Sequence, residues 1–194
     1  RLYGFWYAHM GWFMSRDYLK THYDQIKDYA KFPELRWLNE HHVVPAATLA
    51  LVVYLLGGYV NSGGDVSAMW TAGLSSLVVG FFLSTVLVYH GTYTINSLMH
   101  IWGKPRYQSN DDSKNSLILA LLTMGEGWHN NHHFYQASAR QGFYWWEIDL
   151  TYYILVVLSW FGIVWDLKPV PAHIKEARSH EEAAELLKRR KQLT

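Results

Sequence analysis

Three histidines fall within five residues of this sequence, in the stretch GEGWHNNHH at positions 125–133. His129, His132 and His133 have the spacing i, i+3 and i+4, which places side chains on one face of an α-helix. The imidazole ring is a common ligand of transition metals. The spacing therefore predicts a metal site, but a histidine-rich polar turn at the surface would have the same pattern.

A fourth histidine and an asparagine lie in an otherwise uncharged run. Residues 66–103 contain no Lys, Arg, Asp or Glu, and the run carries Asn96 and His100 near its end. Residues four apart share one face of a helix, and neither side chain faces lipid at low cost. We therefore expect one long helix that leaves the bilayer near His90 and brings Asn96 and His100 into a protein interior.

The composition limits which metals such a site can hold. The 194 residues include no cysteine, which excludes disulfides, zinc ribbons, iron–sulfur clusters and a cysteine nucleophile. A set of nitrogen and oxygen ligands suits iron, zinc, copper or nickel, and an open position on iron suits oxygen chemistry. Four imidazoles can hold one metal ion and cannot fill two, so a dinuclear site needs ligands from elsewhere. Glu126 is a candidate acceptor for a histidine N–H, with a solvated charge at a helix end as the alternative.

The elements that must position these residues are two apolar helices. Residues 43–60 are uncharged, and at about 1.5 Å per residue they reach the short end of the length that spans a bilayer. Residues 66–89 predict a second span, and the residues between them have turn composition. The sequence predicts an all-α integral membrane protein with a transmembrane helix hairpin. Buried core helices of a soluble protein are the alternative.

The charges on either side of the apolar runs predict the topology. Lys and Arg are frequent before residue 43 and after residue 103, whereas residues 61–65 contain none. The positive-inside rule then places both flanks in the cytosol. We expect a multi-pass protein of a bacterial inner membrane or the endoplasmic reticulum, with a cytosolic helical cap holding the histidine site. The net charge of +1 gives no indication of a nucleic-acid partner.

Three further helices are predicted after the apolar runs. Asp112 or Ser113 is placed to cap a helix through residues 117–122, broken at Gly125 and Gly127 before the histidines. Residues 147–165 predict an apolar helix with acidic ends, packed on the cytosolic face or lying in the interface. Residues 175–191 predict a charged, solvated helix with attractive i, i+4 pairs.

The sequence opens with aromatic residues around His9, which we expect to be a hydrogen-bonded buried histidine rather than a direct ligand. The first residue is Arg1 rather than Met, and the opening is not a signal peptide. We therefore expect an N-terminal part to precede this chain.

These motifs together carry a resemblance. NSLMHIWGKPRY, followed by GEGWHNNHH, resembles the C-terminal half of membrane fatty-acid desaturases of the acyl-CoA Δ9 (stearoyl-CoA desaturase-like) family, and most of all bacterial members. That family has an N-S-x-x-H segment on a long transmembrane helix and a third histidine box of the form GEGxHNxHH. FWYAHMGW resembles the aromatic-His-x-Gly-Trp segment after the family's second box. The resemblance runs from residue 1 to about residue 165, within a single desaturase domain that takes in residues 1–194.

The resemblance implies a non-haem centre of two iron ions, ligated by nine histidines and by an asparagine through water. Matched motif by motif, the direct ligands are His100, His129, His132 and His133, with Asn96 acting through water. The family's first two boxes, HxxxxH and HxxHH, are expected upstream, and this chain alone is expected to be inactive. Five other histidines match no ligand position of the family; they are His9, His22, His41, His42 and His90.

The activity implied by the resemblance is O2-dependent desaturation of a long-chain acyl group, carried on CoA or on a membrane lipid. Trp12 and Arg16 are the residues expected to contact the substrate, and Arg16, four residues after Trp12, matches a basic residue near the acyl-CoA phosphates. Electrons are expected from a separate cytochrome b5-like or ferredoxin-type donor with its reductase. The alternatives are a fatty acyl or lipid hydroxylase on the same scaffold, and a non-catalytic membrane protein that binds haem or a metal.

Overall fold

The computed structural model describes residues 2–15 and 21–192. The described residues form no strand, and Asn115 makes isolated bridges to Lys104 and Trp128. The predicted all-α class is thereby confirmed. The α-helices, in chain order, are α1 (Leu2–Trp6), α2 (Lys27–Ala30), α3 (Pro33–Glu40), α4 (Val43–Asn61), α5 (Met69–Ser76), α6 (Ser84–Asn96), α7 (Leu117–Leu122), α8 (His129–Phe134), α9 (Leu150–Trp160), α10 (Ala172–Glu176) and α11 (His180–Gln192).

Short stretches of other helix types extend two of these helices. A π-helical turn, Tyr7–Gly11, follows α1, and a π-helical segment, Leu77–Leu83, joins α5 to α6. A 3₁₀ turn, Leu98–His100, follows α6. The chain divides into two compact units, unit 1 with residues 1–10 and 91–194, and unit 2 with residues 11–90.

Unit 2 is built on close packing between α4 and α5. A Cβ atom on Gly58 would lie 2.9 Å from the carbonyl oxygen of Met69, and one on Gly73 would lie 2.7 Å from the ring of Tyr54. Small residues of this kind let helix backbones approach each other closely. Asn61 adds a hydrogen bond from its Nδ2 to Ser76 Oγ at 2.9 Å.

Two helical stretches are long and apolar enough to cross a membrane, Val43–Asn61 and Met69–His100. Only 6% of an 18-residue apolar window in each stretch is buried, whereas a core helix of a soluble protein would be mostly buried. Large apolar side chains therefore lie on the outside of both helices, as lipid-facing helices require. These two stretches support the membrane association that the sequence predicts.

The helix that carries Asn96 and His100 changes type between them, so the prediction that they share one α-helical face is wrong. The α-helix ends at Asn96, and His100 lies in the 3₁₀ turn. The side chain of Ser97 donates to the carbonyl of Tyr93 at 2.8 Å. The backbone N–H of Ser97 bonds to Thr94 rather than one residue further back, which tightens the turn.

The core of unit 1 lies between α8 and the C-terminal helices. Its buried apolar side chains are Tyr107, Phe134, Phe143, Ile174, Ala177 and Ala183. The single solvated helix predicted over residues 175–191 is therefore wrong. The chain is extended at Ala177, which separates α10 from α11, because Ile174 and Ala177 are buried in this core. The predicted Glu185–Arg189 pair is present on the exposed side.

Helix α7 begins later than the sequence suggested. Its cap is Ser116, whose side chain accepts from the backbone N–H of Leu119 at 3.5 Å, rather than Asp112 or Ser113. Ser113 is instead buried beside Asn130. The predicted break before the histidines is confirmed, since Gly125 has a φ of 127°, which favours glycine.

Helix α9 is also shorter than predicted. It begins at Leu150, and Asp149 caps it by accepting from the backbone N–H of Tyr152 at 3.0 Å. Glu147, expected as a charge at the helix end, is fully buried in unit 1. Glu147 therefore lies outside α9, and its carboxylate accepts a hydrogen bond from Asn131 of helix α8.

Candidate metal centre

Three histidine side chains converge in unit 1. One ring nitrogen from each of His100, His129 and His133 lies within 4.8 Å of the others. The Nε2 atoms of His100 and His129 are 3.2 Å apart. Two nitrogens that bind one ion at about 2.1 Å lie about 3.0 to 3.4 Å apart, so this pair has the spacing of two ligands on one metal.

His129 is the most enclosed of the three. Its Nδ1 atom is buried and has no hydrogen-bond partner among the described residues. Burial and, after it, the charges of the neighbouring rings, starting with His133, lower the pKa of His129 to about 3. The ring is therefore neutral at neutral pH, which is the state in which histidine binds metal.

His133 is held by a carboxylate. Its Nδ1 atom contacts Oδ2 of Asp111, which accepts the hydrogen bond. Burial raises the pKa of Asp111, but hydrogen bonds from Ser113 and the charge of His133 outweigh it and hold this pKa well below its usual range. The ring nitrogen that remains available on His133 is Nε2, on the side away from Asp111.

The structure does not bring every predicted ligand into this cluster. His132 lies on the same helix, with its ring centroid 6.2 Å from that of His129, and is outside the group of three. Asn96 is exposed at the last residue of α6. Glu126 acts on His132 through its charge, and no hydrogen bond between it and a histidine ring is found in the described part of the chain.

The residues predicted to contact substrate lie outside unit 1 or outside the described ranges. Trp12 belongs to unit 2 and packs edge-on against Phe13, with ring centroids 5.6 Å apart. Arg16 lies outside the described residues. Their predicted role in substrate binding stays a prediction.

The two asparagines between the histidines fix α8 from its other side. Residues one and two positions along a helix point away from the first residue's face. Asn130 is fully buried, and its Oδ1 accepts from the backbone N–H groups of Arg106 and Tyr107, both at 2.8 Å. Its Nδ2 donates to the carbonyl of Tyr107 at 3.1 Å. Asn130 therefore ties α8 to the loop that precedes α7.

Asn131 ties the same helix to an ion pair whose carboxylate is buried. It is fully buried, its Oδ1 accepts from Asn115 Nδ2 at 2.7 Å, and its Nδ2 donates to a carboxylate oxygen of Glu147 at 2.9 Å. Glu147 is paired with Arg106, whose guanidinium lies over the ring of Tyr144 at 4.7 Å. A buried carboxylate is stable only with such partners, so this network fixes one position for α8.

The glycines of GEGWHNNHH let two other elements approach the turn before α8. A Cβ on Gly125 would lie 2.9 Å from Cγ of Asp149, and one on Gly127 would overlap the backbone of Leu119 and Ala120. The carbonyl of Gly127 also accepts from the backbone N–H of Ser116 at 2.8 Å. The two glycines are therefore required by close contacts with α7 and with the residue that caps α9.

Replacing Gly127 with Ala is expected to destabilise the protein by about 1–3 kcal/mol, because the new Cβ would lie 2.6 Å from the backbone carbon of Leu119. The matched control is Gly4→Ala in α1, where a Cβ has no heavy atom within 4 Å. The measurement is the midpoint of thermal unfolding in detergent. Equal midpoints for the two variants would show that the turn has room that the structure does not contain.

His9 has the role that the sequence predicts. It is buried, and its Nδ1 lies 2.9 Å from Ser97 Oγ. Because that hydroxyl donates to the carbonyl of Tyr93, it accepts from His9. Its ring stacks on Phe5, with centroids 5.7 Å apart. His9 therefore ties the segment after α1 to the end of α6, next to the turn that carries His100.

Residues 1–156 match the family model described as fatty acid desaturase. The chain belongs to the fatty acid desaturase family. The family that NSLMH and GEGWHNNHH predict is thereby confirmed at this level.

Three curated relatives illustrate the family. The chain is 33% identical over 178 residues to palmitoyl-monogalactosyldiacylglycerol delta-7 desaturase, chloroplastic, from Arabidopsis thaliana. This alignment covers 90% of this chain and 44% of the relative. It is 34% identical over 178 residues to acyl-CoA C20 Delta5-desaturase from Anemone leveillei, covering 90% and 52%. It is 36% identical over 169 residues to sn-1 stearoyl-lipid 9-desaturase from Synechocystis sp., covering 87% and 48%. The chain spans about half the length of the curated relatives it matches.

Several residues that build this desaturase-family site were not singled out from the sequence. The sequence pattern assigns no role to Asp111, and it predicts Glu147 only as a charge at a helix end. The two asparagines between the histidines could have been predicted to anchor the helix. Each side-chain amide has both donors and acceptors that need partners when it is buried. Arg106 carries none, because only the fold brings it to Glu147.

Proposed function

We propose that this chain is the C-terminal part of an O2-dependent fatty acyl desaturase with a non-haem di-iron centre, acting on a long-chain acyl group carried on CoA at the Δ9 position. The observation that carries the proposal is the convergence of His100, from the N-S-x-x-H segment, with His129 and His133, from the third histidine box, in a chain of the desaturase family.

The donor set fits iron. Three imidazole nitrogens lie within 4.8 Å of one another, and the sequence contains no cysteine that could add a thiolate ligand. Imidazole with oxygen ligands suits non-haem iron, whereas thiolates would favour zinc or an iron–sulfur cluster.

This chain would contribute part of the ligand set. His100, His129 and His133 would hold iron, and His132 and Asn96 would complete the contribution of this half, Asn96 through a water molecule. The other ligands would come from two histidine boxes upstream of residue 1. Iron bound there would supply O2 activation and removal of hydrogen from the acyl chain.

The overall reaction removes one hydrogen from each of two adjacent methylenes and forms a C=C bond. O2 is reduced to two waters with two further electrons and two protons, and the electrons would come from a cytochrome b5-like or ferredoxin-type protein and its reductase. The residues of this chain hold the histidine rings in place through Asn130, Asn131 and Asp111, so that little reorganisation is needed when the substrate binds.

The two apolar helices and the charges that flank them support the membrane arrangement proposed here. We place Val43–Asn61 and residues 69–89 in the bilayer as a helix hairpin, with the histidine helix on the cytosolic side. An apolar acyl chain has no polar handle near the reacting carbons, so its position must be set by an apolar channel. Trp12 and Arg16 are proposed to contact the acyl-CoA, with Arg16 at its phosphates.

The proposal is tested by expressing the complete gene in cells that lack Δ9 desaturase activity and analysing their fatty acids by gas chromatography and mass spectrometry. We expect a monounsaturated product with its double bond at carbon 9, and none above background for His132→Ala. Hydroxylated fatty acids in its place would overturn the proposed reaction. A double bond at another position would overturn the Δ9 assignment alone, and product found only on membrane lipids would overturn CoA as the carrier.

A further inference from the structure

Asp111 is oriented on both oxygens. Oδ2 contacts Nδ1 of His133, and Oδ1 accepts from the backbone N–H of Ser113 at 2.9 Å and from Ser109 Oγ at 3.1 Å. A carboxylate held by two local donors has one orientation relative to its loop. The loop thus aims one carboxylate oxygen at one histidine.

The loop is in turn fixed by the helix that carries that histidine. Asn130, three residues before His133 on α8, donates from Nδ2 to Ser109 Oγ at 3.1 Å and to Ser113 Oγ at 3.4 Å. The same two serines surround Asp111, and the hydroxyls of Ser109 and Ser113 lie 3.1 Å apart. The contacts form a closed ring from α8 through the loop and back to α8, so Asp111 and His133 cannot shift independently.

The direction of this contact sets which nitrogen of His133 faces the cluster. A carboxylate accepts only, so Nδ1 carries the proton, and in the neutral ring that binds a metal the lone pair is then on Nε2. The ring of His133 lies with its centroid 4.2 Å from that of His129 and 5.6 Å from that of His100. A histidine whose second nitrogen donates to a carboxylate is both oriented and made a stronger metal ligand.

We propose that Asp111 is the positioning residue of this centre: it fixes the Nδ1–H form and the ring orientation of His133, and so prepares the site before any metal arrives. The inference deepens the proposed desaturase function and rests on it for its catalytic meaning. The proposed Nδ1–H form and ring orientation of His133 are properties of the metal-free protein. They can therefore be tested whichever reaction the protein catalyses.

The neighbouring residue supplies a matched control. Asp112 is exposed and contributes, like Asp111, a favourable charge near His100, but among the described contacts it makes none to a histidine ring. Asp112→Asn therefore removes the same charge from the same loop and leaves the contact with His133 intact. Asp111→Asn removes the charge and keeps an acceptor oxygen, whereas Asp111→Ala removes both.

The first measurement is the form of the His133 ring in the metal-free chain. Nitrogen-15 NMR of histidine-labelled protein in detergent micelles distinguishes Nδ1–H from Nε2–H, and His133→Gln identifies the signal by its loss. We expect the Nδ1–H form in the parent chain, in Asp112→Asn and in Asp111→Asn, and a shift toward Nε2–H in Asp111→Ala. An unchanged ring in Asp111→Ala, or an Nε2–H ring in the parent chain, would overturn the proposal.

The second measurement is the affinity for Co²⁺, followed by its visible absorption in the same chain. Loss of an outer hydrogen-bond partner is expected to weaken binding about 10–100-fold in Asp111→Ala, less in Asp111→Asn, and less than about twofold in Asp112→Asn. Equal weakening by Asp111→Asn and Asp112→Asn would show that charge alone acts, which contradicts positioning. Absence of a desaturated product from the complete enzyme would overturn the proposed function and leave these two measurements standing.

Discussion

Replacing His129 with Ala is expected to remove iron from the complete enzyme and to abolish product formation. His129 is buried, its Nε2 lies 3.2 Å from that of His100, and its ring stands 4.2 Å from that of His133. His129 therefore lies in contact with both His100 and His133. Because the loss of an outer partner alone costs about 10–100-fold in affinity or activity, loss of this ligand should exceed 100-fold.

The control for His129→Ala is His42→Ala. His42 is exposed in unit 2 at the start of α4 and its Nδ1 lies 3.4 Å from the carbonyl oxygen of Asn39. This variant should keep its iron and its activity, since exposed substitutions of this kind change stability by less than about 0.5 kcal/mol. Iron per chain and turnover are measured on the same preparations. Full iron content in His129→Ala would remove this residue from the ligand set.

Replacing Glu147 with Leu is expected to lower the free energy of unfolding by about 1–3 kcal/mol, because donors that the buried carboxylate satisfies lose their acceptor. Glu147 is 0% exposed and also accepts from Asn131 Nδ2 and, at 3.2 Å, from the backbone N–H of Tyr144. Its removal therefore loosens α8 as well as the ion pair. Urea unfolding in detergent, followed by proteolysis of the unfolded fraction, measures the change.

The control for Glu147→Leu is Glu185→Gln on α11. That carboxylate pairs with Arg189 at 2.6 Å, but both side chains are more than half exposed, at 63% and 68%. An exposed pair contributes about 0–1 kcal/mol, so this variant should unfold close to the parent protein. Equal urea midpoints for Glu147→Leu and Glu185→Gln would contradict the network as described.

Helix α8 and the histidine cluster of His100, His129 and His133 show what sequence periodicity can predict. The spacing of His129, His132 and His133 predicts a shared face, and the structure brings two of the three together with His100. At about 100° per residue, His132 and His133 lie about 60° to one side and about 40° to the other side of His129. His100 approaches on the side of His133, and only the fold determines on which side it approaches.

The support of the cluster depends on contacts that no local pattern records. The family and the all-helical class followed from two motifs and two apolar runs. Asp111 and Glu147 did not, because the first joins His133 across 22 residues and the second joins Asn131 across 16. A carboxylate in a loop has the same sequence whether it is solvated or holds a ligand. The helix predicted over residues 175–191 failed for a related reason, since Ile174 and Ala177 are buried only once Phe134 and Phe143 are in place.

The most direct test of a histidine-held iron centre is metal analysis of the complete protein. The enzyme is purified under conditions that retain iron, and its metals are quantified together with its visible spectrum. We expect about two iron ions per chain, no haem absorption band, and iron falling to background in His129→Ala but not in His42→Ala. One haem per chain, or zinc alone after iron has been supplied throughout, would contradict it.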